Sequence, residues 1–79
     1  MKITKEVIGN LLMLQEFCEE KDYEMYLRPC NFGEVHIETV FVKRNVGKIR
    51  DRYVRIDEKQ LEEIPYNYLT IYIEECLKG

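Results

Sequence analysis

The chain predicts an α+β domain: an N-terminal helix, a three-stranded antiparallel β-meander, then one short and one longer C-terminal helix. Three observations carry that expectation. Apolar residues recur at three- and four-residue spacing as far as position 18. Two Asn-x-Gly turn signals, at 31–33 and 45–47, interrupt runs of alternating apolar residues. After the last of those runs, Asp57 and Gln60 stand at the spacing of a helix capping box. With 79 residues and 46% hydrophobic content, the chain can build one core, so residues 1–79 form a single small domain.

The first helix is expected over "TKEVIGNLLMLQEFCEEKD", with Thr4 capping its start. Ile3, Val7, Leu11, Leu14 and Cys18 define its apolar face, which Ile8, Leu12 and Met13 would widen to suit a sheet. Gly9 costs about 1 kcal/mol relative to Ala, less than the burial returns.

Residues 23–57 read as the meander. Placing Cys30 opposite Glu34 sets Leu27 against Ile37, Pro29 against Val35 and Tyr23 against Phe41, which gathers one apolar face. A bulge at Gly47 would set Thr39 against Val54 and Ile37 against Ile56, with Glu38 facing Arg55 and Val40 facing Tyr53. A loop one residue shorter would bury Arg55, so the bulged register is preferred.

Asp57 then starts the short helix "EKQLEEI", which Pro65 ends. "YNYLTIYIEECLKG" admits two readings. The alternation of Leu69, Ile71 and Ile73 suits a fourth strand, whereas Asn67, Thr70, Glu74 and Lys78 make a polar stripe at helical spacing. Helix is the preferred reading.

Charge is distributed unevenly. Residues 43–55 hold six cations (Lys43, Arg44, Lys48, Arg50, Arg52 and Arg55) against Asp51, while the flanking segments are each −4 in a chain of net −3. Helices on the Leu27/Ile37/Ile56 face would leave Tyr26, Arg28, Cys30, His36, Glu38, Val40, Val42, Tyr53 and Arg55 on the other. Such a face can be a solvated, charge-guarded edge. It can dock an acidic protein surface, with Tyr and Arg as anchors. Or it can bind nucleic acid, with Tyr26 and Tyr53 stacking on bases and the hairpin tracking phosphates. A pI near 5.2 weighs against the third, although screening confines each field to about 8–10 Å.

Catalytic chemistry has little to build on. There is no serine and no glycine-rich phosphate loop, and the adjacent pairs Glu19/Glu20, Glu62/Glu63 and Glu74/Glu75 diverge around their helices. Cys18, Cys30, Cys76 and the single His36 lack zinc-knuckle spacing, so neither metal nor cofactor is expected. His36 is flanked by Glu34 and Glu38 on one side of the strand, with Arg28 opposite, so the local charges pull its pKa both ways. Three cysteines and an N-terminus unlike a signal peptide suggest reduced thiols in the cytoplasm. No apolar run approaches the ~18 residues of a membrane span.

The expectation is therefore a non-enzymatic cytoplasmic binding or regulatory protein that docks on a macromolecular partner. Tyr26, Arg28, Lys43, Arg44, Lys48, Arg50, Tyr53 and Arg55 would make the contact. A nucleic-acid module using the same hairpin, or a homodimer joined through the sheet face, are the alternatives. The lack of Ala and Ser beside abundant Ile, Lys, Glu, Tyr and Asn is consistent with an AT-rich genome such as a phage's. The element order resembles that of some phage-encoded CRISPR inhibitors, which act by binding an effector, and that of double-stranded-RNA-binding domains. The chain carries no residue motif of either, and it lacks the lysine cluster that opens the last helix of those RNA binders. The resemblance is one of order.

Overall fold

The computed structural model describes residues 4–32, 35–45, 47 and 50–78, leaving out the side chains of 31, 32, 35 and 36. Elements follow the order α1 (Lys5–Lys21), β1 (Glu24–Phe32), β2 (Val35–Lys43), β3 (Arg52–Asp57), α2 (Glu58–Glu63) and α3 (Tyr66–Leu77). The α+β expectation holds, and residues 66–77 are helix rather than a fourth strand.

Local chemistry sets the boundaries. Thr4 Oγ1 accepts from the Val7 amide at 3.2 Å, and Asp22 ends α1 with a left-handed φ of 60°. That turn lets the Asp22 and Tyr23 amides reach back to the Cys18 carbonyl. At α2 the capping box is complete: Asp57 accepts from the Gln60 amide at 2.8 Å, and the Gln60 side chain accepts from the Asp57 amide at 3.0 Å.

Antiparallel strands lie in the order β1-β2-β3. Both registers are displaced by two residues from those expected. Leu27 pairs with Thr39 rather than Ile37, and Thr39 with Ile56 rather than Val54. Glu38 therefore stands across from Asp57, not Arg55, and Val40 across from Arg55, not Tyr53. Two causes are visible. Phe32 pairs with Val35 after an irregularity beyond Pro29, so the first connection falls at 33–34, outside the described residues. The second spans 44–51, longer than a bulged turn. There the Asn45 amide donates to Asp51 Oδ1 at 2.9 Å and its side chain donates to the Arg50 carbonyl at 2.8 Å, across the loop base. Gly47 does adopt the expected positive φ, 83°. An even slip leaves every side chain on its predicted face.

One face is roofed. Thr39 and Phe41 of β2 and Val54 and Ile56 of β3 are buried beneath Val7, Leu14 and Cys18 of α1, Leu61 of α2, and Leu69, Ile73 and Leu77 of α3. The roof is narrower than expected. Ile8, Leu12 and Met13 are exposed, and so are Leu27 and Pro29 on β1. α1 leans toward α2, where Asn10 Nδ2 donates to the Leu61 carbonyl at 2.5 Å, and leaves the far half of β1 uncovered. The Cα frame measures 40 × 25 × 16 Å. Its thinnest dimension fits one sheet and one helix layer about 10 Å apart, with no room for a second roof.

Candidate functional site

Alternation along the strands sends the residues next to the core positions to the opposite, uncovered face. Three cross-strand rows define it: Glu24–Val42–Tyr53, Tyr26–Val40–Arg55 and Arg28–Glu38–Asp57. Neighbours within a row stand about 5 Å apart, so Val40 and Val42 form an apolar centre with Tyr26 and Tyr53 diagonally on either side. Tyr53 is 63% exposed and Tyr26 44%, whereas the two valines are half-buried by their neighbours.

Charge on this face is largely compensated. Arg28 pairs with Glu38 across the β1–β2 ladder. Arg44 gathers a larger network, donating to Glu24, to Asp51 Oδ2 at 3.1 Å and to the Tyr26 hydroxyl at 3.4 Å. The Tyr26 hydroxyl in turn donates to Glu24 Oε1 at 2.6 Å. That bond and Arg44 hold the Glu24 carboxyl below its usual pKa. The Asn45 amide, then Arg44, do the same for Asp51. Both carboxylates are solvent-exposed, so these pairs fix geometry more than they add stability.

The predicted contact residues therefore divide. Arg28, Arg44 and Tyr26 are held in place by acids. Tyr53 and Arg55 project from β3, and their side chains have no hydrogen bond or ion pair among the described residues. Arg50 is exposed in the connecting loop, and Lys48 lies outside the described residues. Lys43 pairs across strands with Arg52 and so falls on the roofed side, at its edge, not on the open face. Two like charges facing each other there oppose the pairing. The His36 side chain is also outside the described set.

Sequence reasoning missed Glu24 and Asp51 as partners of Arg44. Glu24 lies twenty residues from Arg44 in the chain, and Asp51 reaches Arg44 only because the second connection is longer than the expected turn. The cysteines are free thiols; Cys18 is buried, and that burial pushes its pKa up to about 11. Among the described residues no three His, Cys, Asp or Glu side chains converge on a metal-sized site, and no helix is long and apolar enough to cross a membrane.

Comparison with protein-family models, curated proteins and solved structures finds no match. The face must be read from its own chemistry.

Proposed function

We propose that the domain is a non-enzymatic binding protein that docks on another protein through its open sheet face, with Tyr53 and Arg55 as anchors. The supporting observation is their pairing of exposure with lack of compensation: an aromatic ring and a guanidinium unpaired among the described residues, beside the half-buried Val40 and Val42. Interfaces draw most of their energy from such aromatic and Arg side chains set against apolar neighbours. Arg55, which has no ion-pair partner among the described residues, favours a partner with a carboxylate at the centre of its contact surface, where a bidentate pair can form. Tyr26 and Arg28, already oriented by Glu24 and Glu38, would supply a rim that needs little ordering on binding.

Nucleic acid is less well matched. Phosphate tracking needs uncompensated cations in a line, and Arg28 and Arg44 already have carboxylate partners. A cytoplasmic setting belongs to the same proposal, supported by three thiols that form no disulfide. If the docked surface is the partner's own working site, the domain acts as an inhibitor.

The test is affinity capture with wild type, Tyr53→Ala and Arg55→Glu, alongside titration of labelled single- and double-stranded oligonucleotides at low salt. Loss of captured protein in both variants is the expected result, with no oligonucleotide binding. An unchanged captured set removes the sheet face as the site. Salt-sensitive oligonucleotide binding that fails when Lys43, Arg44, Lys48 and Arg50 are neutralised would replace this reading with the nucleic-acid one.

A further inference from the structure

The two sheet edges are guarded differently. β1 carries Pro29, which has no N–H to offer, and its register breaks between Pro29 and Phe32. Both features blunt an edge. β3 has neither: its register with β2 is unbroken from Arg52 to Asp57. Its outer backbone groups therefore form a regular template, guarded along its length by Arg52 and Arg55.

Beside that edge lies the unused flank of α3. The Glu74–Lys21 ion pair at 3.0 Å and the Tyr66 hydroxyl's donation to the Met13 carbonyl at 3.3 Å turn the 66/70/74 side of α3 toward α1. At 3.6 residues per turn, Tyr68 and Tyr72 fall on the opposite flank. Because α3 packs on β3, that flank faces the outer, β3 side of the molecule. Tyr68 is 60% exposed and Tyr72 46%.

We propose that β3 pairs antiparallel with β3 of a second copy about a two-fold axis at Val54, extending the sheet and bringing the two α3 tyrosine flanks together. The register follows from the side chains. An axis at Val54 sets Tyr53 of each copy opposite Arg55 of the other, an aromatic–cation pair made twice, with all four on the open face. Moving the axis to Arg55 would oppose two guanidiniums. In the Val54 register Arg52 meets Ile56 rather than another cation, so the edge guards cease to repel. A strand pair alone falls short of the ~1,200 Å² of a stable interface. Tyr68 and Tyr72, with 60% and 46% of their surface still exposed, enlarge it. The interface is isologous and closes, so assembly stops at two.

This inference does not depend on the docking reading, because its readout needs no partner. Sedimentation equilibrium from micromolar to millimolar concentration should show a monomer–dimer equilibrium for the wild type. Tyr53→Lys, which sets a cation against Arg55 twice, should weaken dimerisation by at least about tenfold. Tyr53→Glu should preserve or tighten it, and Tyr72→Glu should weaken it. Leu12→Glu, on the exposed flank of α1, should leave it unchanged. Circular dichroism would verify that each variant is folded. A wild type that stays monomeric throughout would overturn the proposal. So would a dimer indifferent to Tyr53→Lys, lost in Tyr53→Glu, or dissolved by Leu12→Glu.

Discussion

The two faces of the sheet are made from the same three strands, and on β2 and β3 they differ only in which alternate residues they hold. On the roofed side, Thr39, Phe41 and Ile56 are fully buried. On the open side, their neighbours Val40, Val42, Tyr53 and Arg55 meet solvent, Tyr53 with 63% of its surface. The first face is apolar because helices cover it. The second keeps aromatic and β-branched residues where no helix among the described residues covers them. Strand propensity accounts for part of that choice, since Tyr and Val suit a pleated surface. It does not account for Arg55, which makes no ion pair among the described residues and stands directly across from Val40. An exposed guanidinium beside Val40, with no ion pair among the described residues, is the feature on which the docking proposal rests.

The largest contrast should appear in stability. Phe41→Ala removes a fully buried ring and should cost about 3–5 kcal/mol, a large share of what a small domain has. Tyr53→Ala, on the other face of the same sheet, should move stability by no more than about 0.5 kcal/mol in dilute monomer. Urea unfolding of the two variants would measure both. A Tyr53→Ala loss comparable with that of Phe41→Ala would mean the open face is part of the fold and not a surface in reserve.

A smaller effect of opposite sign is expected within the roofed face. Thr39 Oγ1 is buried with no hydrogen-bond partner among the described residues. Thr39→Val replaces that hydroxyl by a methyl of similar shape and should raise stability by about 1 kcal/mol, read from the same unfolding midpoints. A destabilised variant would show that the hydroxyl has a partner, and that the roof is less apolar than its burial implies.

The smallest effect concerns the loop end of the open face. Glu24 and Asp51 have folded pKa values below their ordinary 4.5 and 3.8. Their stabilising contribution is therefore complete above those ordinary values and is lost as pH falls through the lowered folded ones. Carboxyl chemical shifts followed against pH should show both depressions, and Arg44→Gln should relax them upward. Ordinary titration in the wild type would mean that Arg44 is not held by these acids and is as free to bind as Arg55.

How much of this was legible in the sequence depends on the range of the interaction. Thr4, Asp57 and Gln60 announced helix starts because capping is settled within four residues. The division into two faces was legible because alternation survives an even slip in register. The slip itself was not. It arises from the Pro29–Phe32 irregularity and from a loop base closed by Asn45 and Asp51, both of which depend on how the strands meet. The exposure of Ile8, Leu12 and Leu27 was hidden for the same reason: apolar spacing shows which residues can be buried, and the lean of α1 toward Leu61 decides which are. Within the candidate site, Tyr53 and Arg55 could be named from alternation alone. The restraint of Arg44 could not, since Glu24 lies twenty residues away in the chain.

The claim on which the rest depends is that the Tyr26/Val40/Tyr53/Arg55 face is bare in solution. Paramagnetic relaxation by a neutral, soluble gadolinium chelate measures this directly. Strong enhancement at the Tyr53 ring and the Arg55 side chain, weaker enhancement at Val40 and Val42, and none at Phe41 or Ile56 is the predicted pattern. Protection of Tyr53 and Arg55 equal to that of Phe41 would contradict it.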